Sequence, residues 1–266
     1  MNTPVPLSTM PDVVRRGVRF VLADIDDTVS THGRITARAY AAMERLQAEG
    51  KCVIPITGRP AGWCDHIARM WPVDAVVGEN GAFYMRYDRA SRKLVRRFMV
   101  DEATRAAQRA QLAVLAQTIL REVPGAAIAS DQPYRETDLA VDFCEDVPPL
   151  SRAAVDRIVA AMQAAGLTAK VSSIHVNGWF GAYDKLTTTR MLLAEAFAID
   201  MDAVRDTIVF VGDSPNDAPM FAYFPNAVGV ANVRMFLDRI ATPPRYVTAA
   251  EAGAGFAELT EFLLAP

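Results

Sequence analysis

A chain of 266 residues with 51% hydrophobic and 22% charged residues has the balance of a globular protein, not of a disordered or fibrous one. It is long enough to bury one large core, or a core domain that carries a second, smaller one. The formal net charge of -3 gives no bulk electrostatic case for a nucleic-acid or acidic-membrane partner.

The N-terminal segment, Met1 to Phe20, sets arginines after its few apolar residues and lacks the continuous apolar stretch of a signal peptide. Cys52, Cys64 and Cys144 are odd in number and lack zinc or redox spacing, so free thiols in a reducing compartment are expected, and with them a cytoplasmic location. Later apolar runs such as Ile208 to Val211 are too short to span a bilayer.

Val18 to Ala23 is a β-rich apolar run that stops abruptly at Asp24-Ile25-Asp26-Asp27-Thr28. Such a change suits the carboxyl end of a central strand opening onto a ligand crevice. Ile35, Ala39, Met43 and Leu46 recur at helical spacing until Gly50, which predicts a helix over 36–49. Cys52 to Ile56 gives the next strand, followed by Thr57-Gly58-Arg59-Pro60. A right-handed crossover between two parallel strands places Asp24 and Thr57 at the same sheet edge. A short helix over 61–69 and a strand from Val73 to Val77 then lead to Gly78-Glu79-Asn80-Gly81.

Beyond that turn the rhythm changes. A strand pair is expected at Ala82 to Tyr87 and Leu94 to Val100, then a helix over 102–120, strands near Ala126 to Ala129 and Leu139 to Phe143, a helix over 151–164, and one β segment from Ala169 to about Val176. This order reads as an inserted α+β layer over 83–180, between core segments 1–82 and 181–266. Arg86, Arg89, Arg92, Lys93, Arg96 and Arg97 form a basic stretch there, which alternation divides between two faces as a solvated hairpin. The doubly wound pattern returns with a helix over 186–198, a strand from Thr207 to Val211, and the turn Gly212-Asp213-Ser214-Pro215-Asn216-Asp217. A helix near 217–223, strands at Ala227 to Val230 and Arg245 to Val247, and an amphipathic segment over 256–264 complete an α/β, Rossmann-like parallel core.

Three aspartates within four residues, Asp24, Asp26 and Asp27, are costly unless a cation or hydrogen-bond donors compensate them. Taken alone they also suit a solvated turn or a helix cap. A second acidic turn after another apolar strand, Asp213 to Asp217, favours a shared site across one crevice, where a hard divalent ion such as magnesium suits oxygen ligands. Thr57 offers a hydroxyl and nearby N–H groups to a phosphoryl oxygen, and Lys185 offers the positive charge such a site needs.

The four segments Asp24-Ile25-Asp26-Asp27-Thr28, Thr57-Gly58-Arg59, Lys185, and Gly212 to Asp217 resemble the ordered motifs of the haloacid dehalogenase-like phosphatase superfamily. The stretch beginning Glu79-Asn80-Gly81 is similar to the subgroup with a large type IIB cap, which includes Cof-type, sucrose-phosphatase and mannosyl-phosphoglycerate-phosphatase members. The resemblance implies Asp24 as nucleophile and Asp26 as general acid and base. Thr57, Gly58, Lys185 and Asn216 would hold the phosphoryl group. Mg2+ would be held by Asp24, the Asp26 carbonyl and Asp213, with Asp217 in support. Many relatives have glycine in place of Asp27.

The implied activity is hydrolysis of a small phosphate monoester, a sugar phosphate by cap similarity, through an aspartyl phosphate. The rival readings are a phosphosugar mutase and an inactive metal- or phosphate-binding protein. Arg59, Tyr134, Arg135, His175 and Asn177 are candidate specificity residues. The expected partner is a small phosphorylated metabolite, with no nucleic acid or membrane, and the chain a monomer or homodimer.

Overall fold

The computed structural model describes residues 3–266. Six strands form a parallel sheet in the order Val5–Pro6, Tyr246–Val247, Val228–Gly229, Ile208–Gly212, Phe20–Ala23, Cys52–Pro55. A parallel sheet needs helices on both faces, because its strands carry no solvent side. Alternation delivers this. Phe20 and Leu22 pack with Leu192, Leu193 and Met220 on one face. Val21 and Ala23 pack with Met43, Leu46 and Phe256 on the other. The core is therefore the α/β, Rossmann-like arrangement expected from the sequence. Among the described residues, no helix is long and apolar enough to cross a membrane.

The strand Val5–Pro6 was not foreseen, being only two residues long and following prolines. A second unforeseen element is the small hairpin Ser30–Thr31 with Arg34–Ile35, which turns through His32 and Gly33 at positive φ directly after the Asp24 to Thr28 segment.

The hairpin Phe83–Asp88 with Lys93–Phe98 departs from the sequence expectation more instructively. It does not join the inserted layer. Phe83–Asp88 pairs antiparallel with Val76–Gly78, and the preceding Ile56 and Val77 make a parallel bridge, so the hairpin continues from the core sheet's edge. Its inner residues Phe83 and Met85 lie in the same apolar cluster as Val21 and Val53. Local strand propensity located this hairpin, but only its apolar face says which core it serves.

The inserted layer proper is a four-stranded antiparallel sheet in the order Thr168–Val171, His175–Trp179, Asp138–Asp142, Ala127–Ile128. Helices Glu102–Glu122 and Arg152–Ala164 cover it, and Leu112, Ile119, Leu139, Val141, Ile158 and Val176 give it an apolar core of its own. The single β segment expected from Ala169 to Val176 is in fact two strands. Ser172 turns the chain, its N–H donating to the His175 carbonyl and its hydroxyl accepting from His175 N–H. Alternation then sends Leu139, Val141 and Val176 inward. It leaves Asp138, Asp142, His175 and Asn177 on the opposite face, toward the main core.

Trp179 ends this sheet yet belongs to the main core cluster. It stacks on Tyr183 with ring centroids 5.9 Å apart, and its Nε1–H donates to the Tyr183 carbonyl at 3.2 Å. Replacing it with alanine opens a large void at the return crossing. Trp179→Ala is expected to cost about 3–5 kcal/mol of stability, read as a lower urea unfolding midpoint; an unshifted midpoint would contradict this packing role.

Candidate active site

Adjacent strand ends build the site. Phe20–Ala23 runs between Cys52–Pro55 and Ile208–Gly212, so the residues that follow the three strands open onto one crevice. Asp24 N–H donates to the Val211 carbonyl at 2.9 Å, and Thr57 N–H to the Val77 carbonyl at 2.9 Å, which fixes both residues to the sheet. Lys185 starts the helix Lys185–Phe197, whose N-cap Asp184 accepts from Thr187 N–H.

The sequence-predicted charges converge. Lys185 Nζ donates to Asp24 Oδ1 and to Asp217 Oδ1, both at 2.7 Å. Carboxylate oxygens of Asp24, Asp213 and Asp217 lie within 4.8 Å of one another, and all three residues are buried. Three carboxylates thus face one ammonium. Burial pushes Asp24 up to about 8, against the attraction of Lys185, and the nearby Asp217 and Asp26 add to the rise. Asp213 is raised well above the carboxylate range by burial and by Asp24. Burial pulls Lys185 down, but its contacts with Asp217 and Asp24 outweigh this and raise it.

This donor set fits a divalent cation, which would offset the two charges that Lys185 leaves uncompensated and would have hard oxygen ligands. The carboxylates divide by what already holds them. Asp217 is committed on both oxygens, to Lys185 and to the N–H groups of Asp213 at 3.1 Å and Ser214 at 3.4 Å. Asp213 is steadied from the side by Thr28 Oγ1 at 3.3 Å and Asn232 Nδ2 at 3.2 Å. Asp24 has one oxygen bonded to Lys185. Both Asp213 oxygens are thereby engaged as well, Oδ1 by Thr28 and Oδ2 by Asn232, so of the three carboxylates Asp24 alone keeps an oxygen without a hydrogen-bond donor among the described residues.

Two glycines make these approaches possible. A Cβ on Gly212 would lie 2.3 Å from Asp217 Oδ2. A Cβ on Gly81, whose φ is +108°, would lie 2.1 Å from the Asp184 carbonyl oxygen, so Glu79-Asn80-Gly81 seats the backbone just before Lys185.

Thr57 is fully buried and its Oγ1 accepts from Arg59 N–H at 3.0 Å. It does not cap the following helix Ala61–Met70, whose N-cap is Pro60. Gly58 and Asn216 line the same cleft as Asp24 and Asp26, and Asn216 Oδ1 accepts from Ser214 Oγ at 2.9 Å.

The specificity candidates behave differently. Arg59 is buried and binds Asp26 through Nε at 2.9 and 3.1 Å, then reaches Glu145 at 2.8 Å and Asp131 at 3.3 Å in the inserted layer. Arg135 pairs with Asp131 and Asp138 and donates to the Gly58 carbonyl at 2.9 Å. Its neighbour Glu136 is held by Arg109. Asn177 Nδ2 donates to Asp138 at 2.8 Å, and His175 Nε2 stands 2.8 Å from Glu145, an ion pair when the ring is protonated. These three line the cleft but are already engaged within the protein. Tyr134 lies outside it, exposed above Gly62.

Glu79 escaped the sequence reading as a site residue. Fully buried, it accepts from Ala61 N–H and from Glu136 and Thr137 N–H, and so clamps the inserted layer to the core. Burial raises it to about 7. Asn232 was missed as well, since an isolated asparagine after Val230-Ala231 carries no chemical signature until the chain folds.

Residues 21–111 match the family model described as haloacid dehalogenase-like hydrolase. No curated protein matches the chain. Among solved structures, a Thermoplasma acidophilum protein is similar at 17% identity and a TM-score of 0.69, with 92% of this chain and 98% of that one covered. Sucrose-phosphatase from Synechocystis, solved with sucrose and phosphate, is similar at 16% identity and a TM-score of 0.63, covering 93% and 98%. A trehalose-6-phosphate phosphatase related protein is similar at 12% identity and a TM-score of 0.62, covering 92% and 96%. These likenesses show that the fold extends over nine-tenths of the chain.

The charge excess has a measurable consequence. An unfolded aspartate loses its proton near pH 4, roughly, whereas folded Asp24 keeps its own to about 8. The folded state then binds more protons between those values, so metal-free stability falls as pH rises through that window, and the full penalty stands above it. Magnesium, which takes the ionised form, is expected to raise the thermal midpoint more at pH 8 than at pH 5.5. Melting curves with magnesium and with a chelator check this, and an equal gain at both pH values would contradict it.

Proposed function

We propose that this chain, which carries the haloacid dehalogenase-like hydrolase core, is a magnesium-dependent phosphatase that hydrolyses a small phosphate monoester through an aspartyl phosphate on Asp24. The observation that carries the reading is the single ammonium of Lys185 held between Asp24 and Asp217, with Asp213 close beside them. A scaffold has no use for so costly a group of charges. A site for a dianionic phosphoryl group and a divalent ion does.

In this reading Asp24 and Asp213 hold Mg2+ together with the Asp26 carbonyl, and Asp217 supports the site. Bound there, the ion offsets charge on Asp24 and on the phosphoryl oxygens. Asp24 would attack phosphorus through one carboxylate oxygen and meet the ion through the other, with Lys185 holding the carboxylate in place through its contact with Oδ1. Thr57, with the N–H groups of the Thr57-Gly58-Arg59 turn, fixes phosphoryl oxygens, and Asn216 lies across the cleft from them. Asp26 gives a proton to the departing oxygen and then takes one from the water that cleaves the aspartyl phosphate.

Arg59 ties Asp26 to the inserted layer, since the same guanidinium also reaches Asp131 and Glu145 there. We read the layer, assigned to 83–180 from sequence and here taken from the start of helix Glu102–Glu122, as a cap that admits substrate and then excludes water. A sugar phosphate is the class suggested by likeness to sucrose-phosphatase and the trehalose-6-phosphate phosphatase related protein. Among the substrate candidates, Arg59 touches the chemistry through Asp26, while Arg135, His175 and Asn177 position the cap. A cytoplasmic location and a monomer or homodimer complete the proposal.

Asp24→Asn keeps the side chain's shape and removes the nucleophile, so phosphate release is expected to fall to background; release at the native rate would refute the assignment. Asp26→Asn should lower turnover about 10²–10⁴-fold, and a normal rate would remove its acid and base role. Product analysis separates hydrolysis from mutase chemistry, because isomerised phosphosugar without free phosphate would favour the latter. Gly81→Ala should push back the Asp184 backbone and displace Lys185, lowering kcat by about 10²-fold with little change in circular dichroism; unaltered kcat would show that the turn does not place Lys185.

A further inference from the structure

The turn Glu79-Asn80-Gly81 sits between two of the elements that would hold the phosphoryl group. Glu79 and Asn80 N–H groups donate to the carbonyls of Arg59 at 3.1 Å and Thr57 at 3.0 Å, which fixes the turn to Thr57-Gly58-Arg59. Gly81, on its other side, packs against the Asp184 carbonyl just before Lys185. The Asn80 side chain emerges at this junction. It lies on the Gly58 backbone, since a Cβ on Gly58 would stand 3.1 Å from Asn80 Nδ2 and 3.3 Å from Oδ1. With Lys185 and Asn216 it also borders a cavity of about 180 Å³ between the core and the inserted strand Thr168–Val171. Asn80 is only 3% exposed, yet its Oδ1 has no hydrogen-bond partner among the described residues. A buried amide left unpaired is costly and calls for a partner. The backbone does not account for the residue either, because its φ of +54° is a conformation glycine adopts more readily.

From this we infer that Asn80 is a further phosphoryl-binding residue, whose carboxamide donates to a peripheral oxygen of the group held between Thr57-Gly58-Arg59 and Lys185. The inference rests on the phosphatase reading for what the crevice binds. An ionised phosphoryl group offers several acceptor oxygens and no donor, so it needs N–H and O–H groups around it. Lys185 cannot supply them alone, since two of its three N–H bonds already go to Asp24 and Asp217. A carboxamide adds a donor to this crevice without adding charge. Its two ends have the same shape, so a half-turn of the side chain puts an N–H2 where the unpartnered oxygen stands. The backbone bonds to Thr57 and Arg59 hold Asn80 in register with the phosphoryl turn before any ligand arrives, so little ordering remains for the moment of binding.

The test titrates inorganic phosphate into the full-length protein with magnesium, by calorimetry, for the native chain, Asn80→Gly and Asn80→Asp. Asn80→Gly keeps the left-handed backbone and removes the carboxamide. It should weaken phosphate about tenfold, while its thermal midpoint with magnesium alone stays at the native value. Asn80→Asp keeps the shape and sets a carboxylate against the phosphoryl oxygens, so it should weaken phosphate further, by about a hundredfold. Should Asn80→Gly fold poorly, the isosteric Asn80→Asp decides alone. Affinities within about twofold of native in both variants would overturn the inference and leave the phosphatase reading intact. A lowered midpoint with native phosphate affinity would overturn it too, and would make Asn80 a brace for the turn and nothing more. A native protein that takes up no phosphate, and releases none from any ester with magnesium, would sink the phosphatase reading and this inference with it.

Discussion

A buried excess of negative charge sets the terms for the rest of this molecule. Asp24, Asp213 and Asp217 share one crevice with the ammonium of Lys185, which bonds Asp24 and Asp217. Such a group persists only where the surrounding structure leaves it no route to solvent and compensates it with fixed donors. The parallel sheet supplies the first condition, because adjacent strand ends hold their following residues by backbone bonds. The second comes from Asn232, Thr28 and the N–H groups of the Asp213–Asp217 turn. Glycines at 81 and 212 then allow the backbone and Asp217 to come closer than any side chain would permit.

The attachment of the inserted layer follows from the same economy of charge. Its own sheet and helices enclose a separate apolar cluster, so it does not depend on the core for burial. Where it meets the core near the crevice, the contacts are instead polar and largely buried: Arg59 to Asp131 and Glu145, Arg135 to the Gly58 carbonyl, and Glu79 to Glu136 and Thr137. Contacts of this kind lose less on opening than an apolar seam, since water can replace each partner. Trp179 is the exception, a residue of the inserted sheet sunk in the main core.

The parts legible in the sequence were those where one residue type at one strand end has little alternative use. Asp24, Asp213 and Asp217 were found because charge at the end of an apolar run is conspicuous and parallel strand order brings such ends together, whereas Lys185, at a helix start, was found through the positive charge such a site needs and the order of the motifs. The helices were legible because periodicity and caps such as Thr36 and Asp101 are local. What was not legible depended on partners far along the chain. Whether the hairpin Phe83–Asp88 with Lys93–Phe98 serves the core or the cap is decided by its pairing with Val76–Gly78. Arg135, His175 and Asn177 do face the crevice, yet Asp131, Asp138 and Glu145 engage them. Asn232 sits 205 residues from the carbonyl of Asp27 that it binds, and no local pattern announces such a contact.

Asp27 joins these themes. Its backbone is left-handed, φ +53°, a conformation glycine adopts freely and aspartate tolerates better than most residues. That turn lets the chain leave the sheet after Asp24 and Asp26 and enter the small hairpin that follows. A glycine would serve the backbone equally well and bring no charge. The aspartate adds a half-buried carboxyl whose burial raises it above the usual range, with Ser173 of the inserted layer near enough to oppose part of that rise. The turn that follows Asp24 and Asp26 therefore sets a further half-buried carboxyl at the rim of the crevice, beside the inserted layer, where a glycine would have left only backbone.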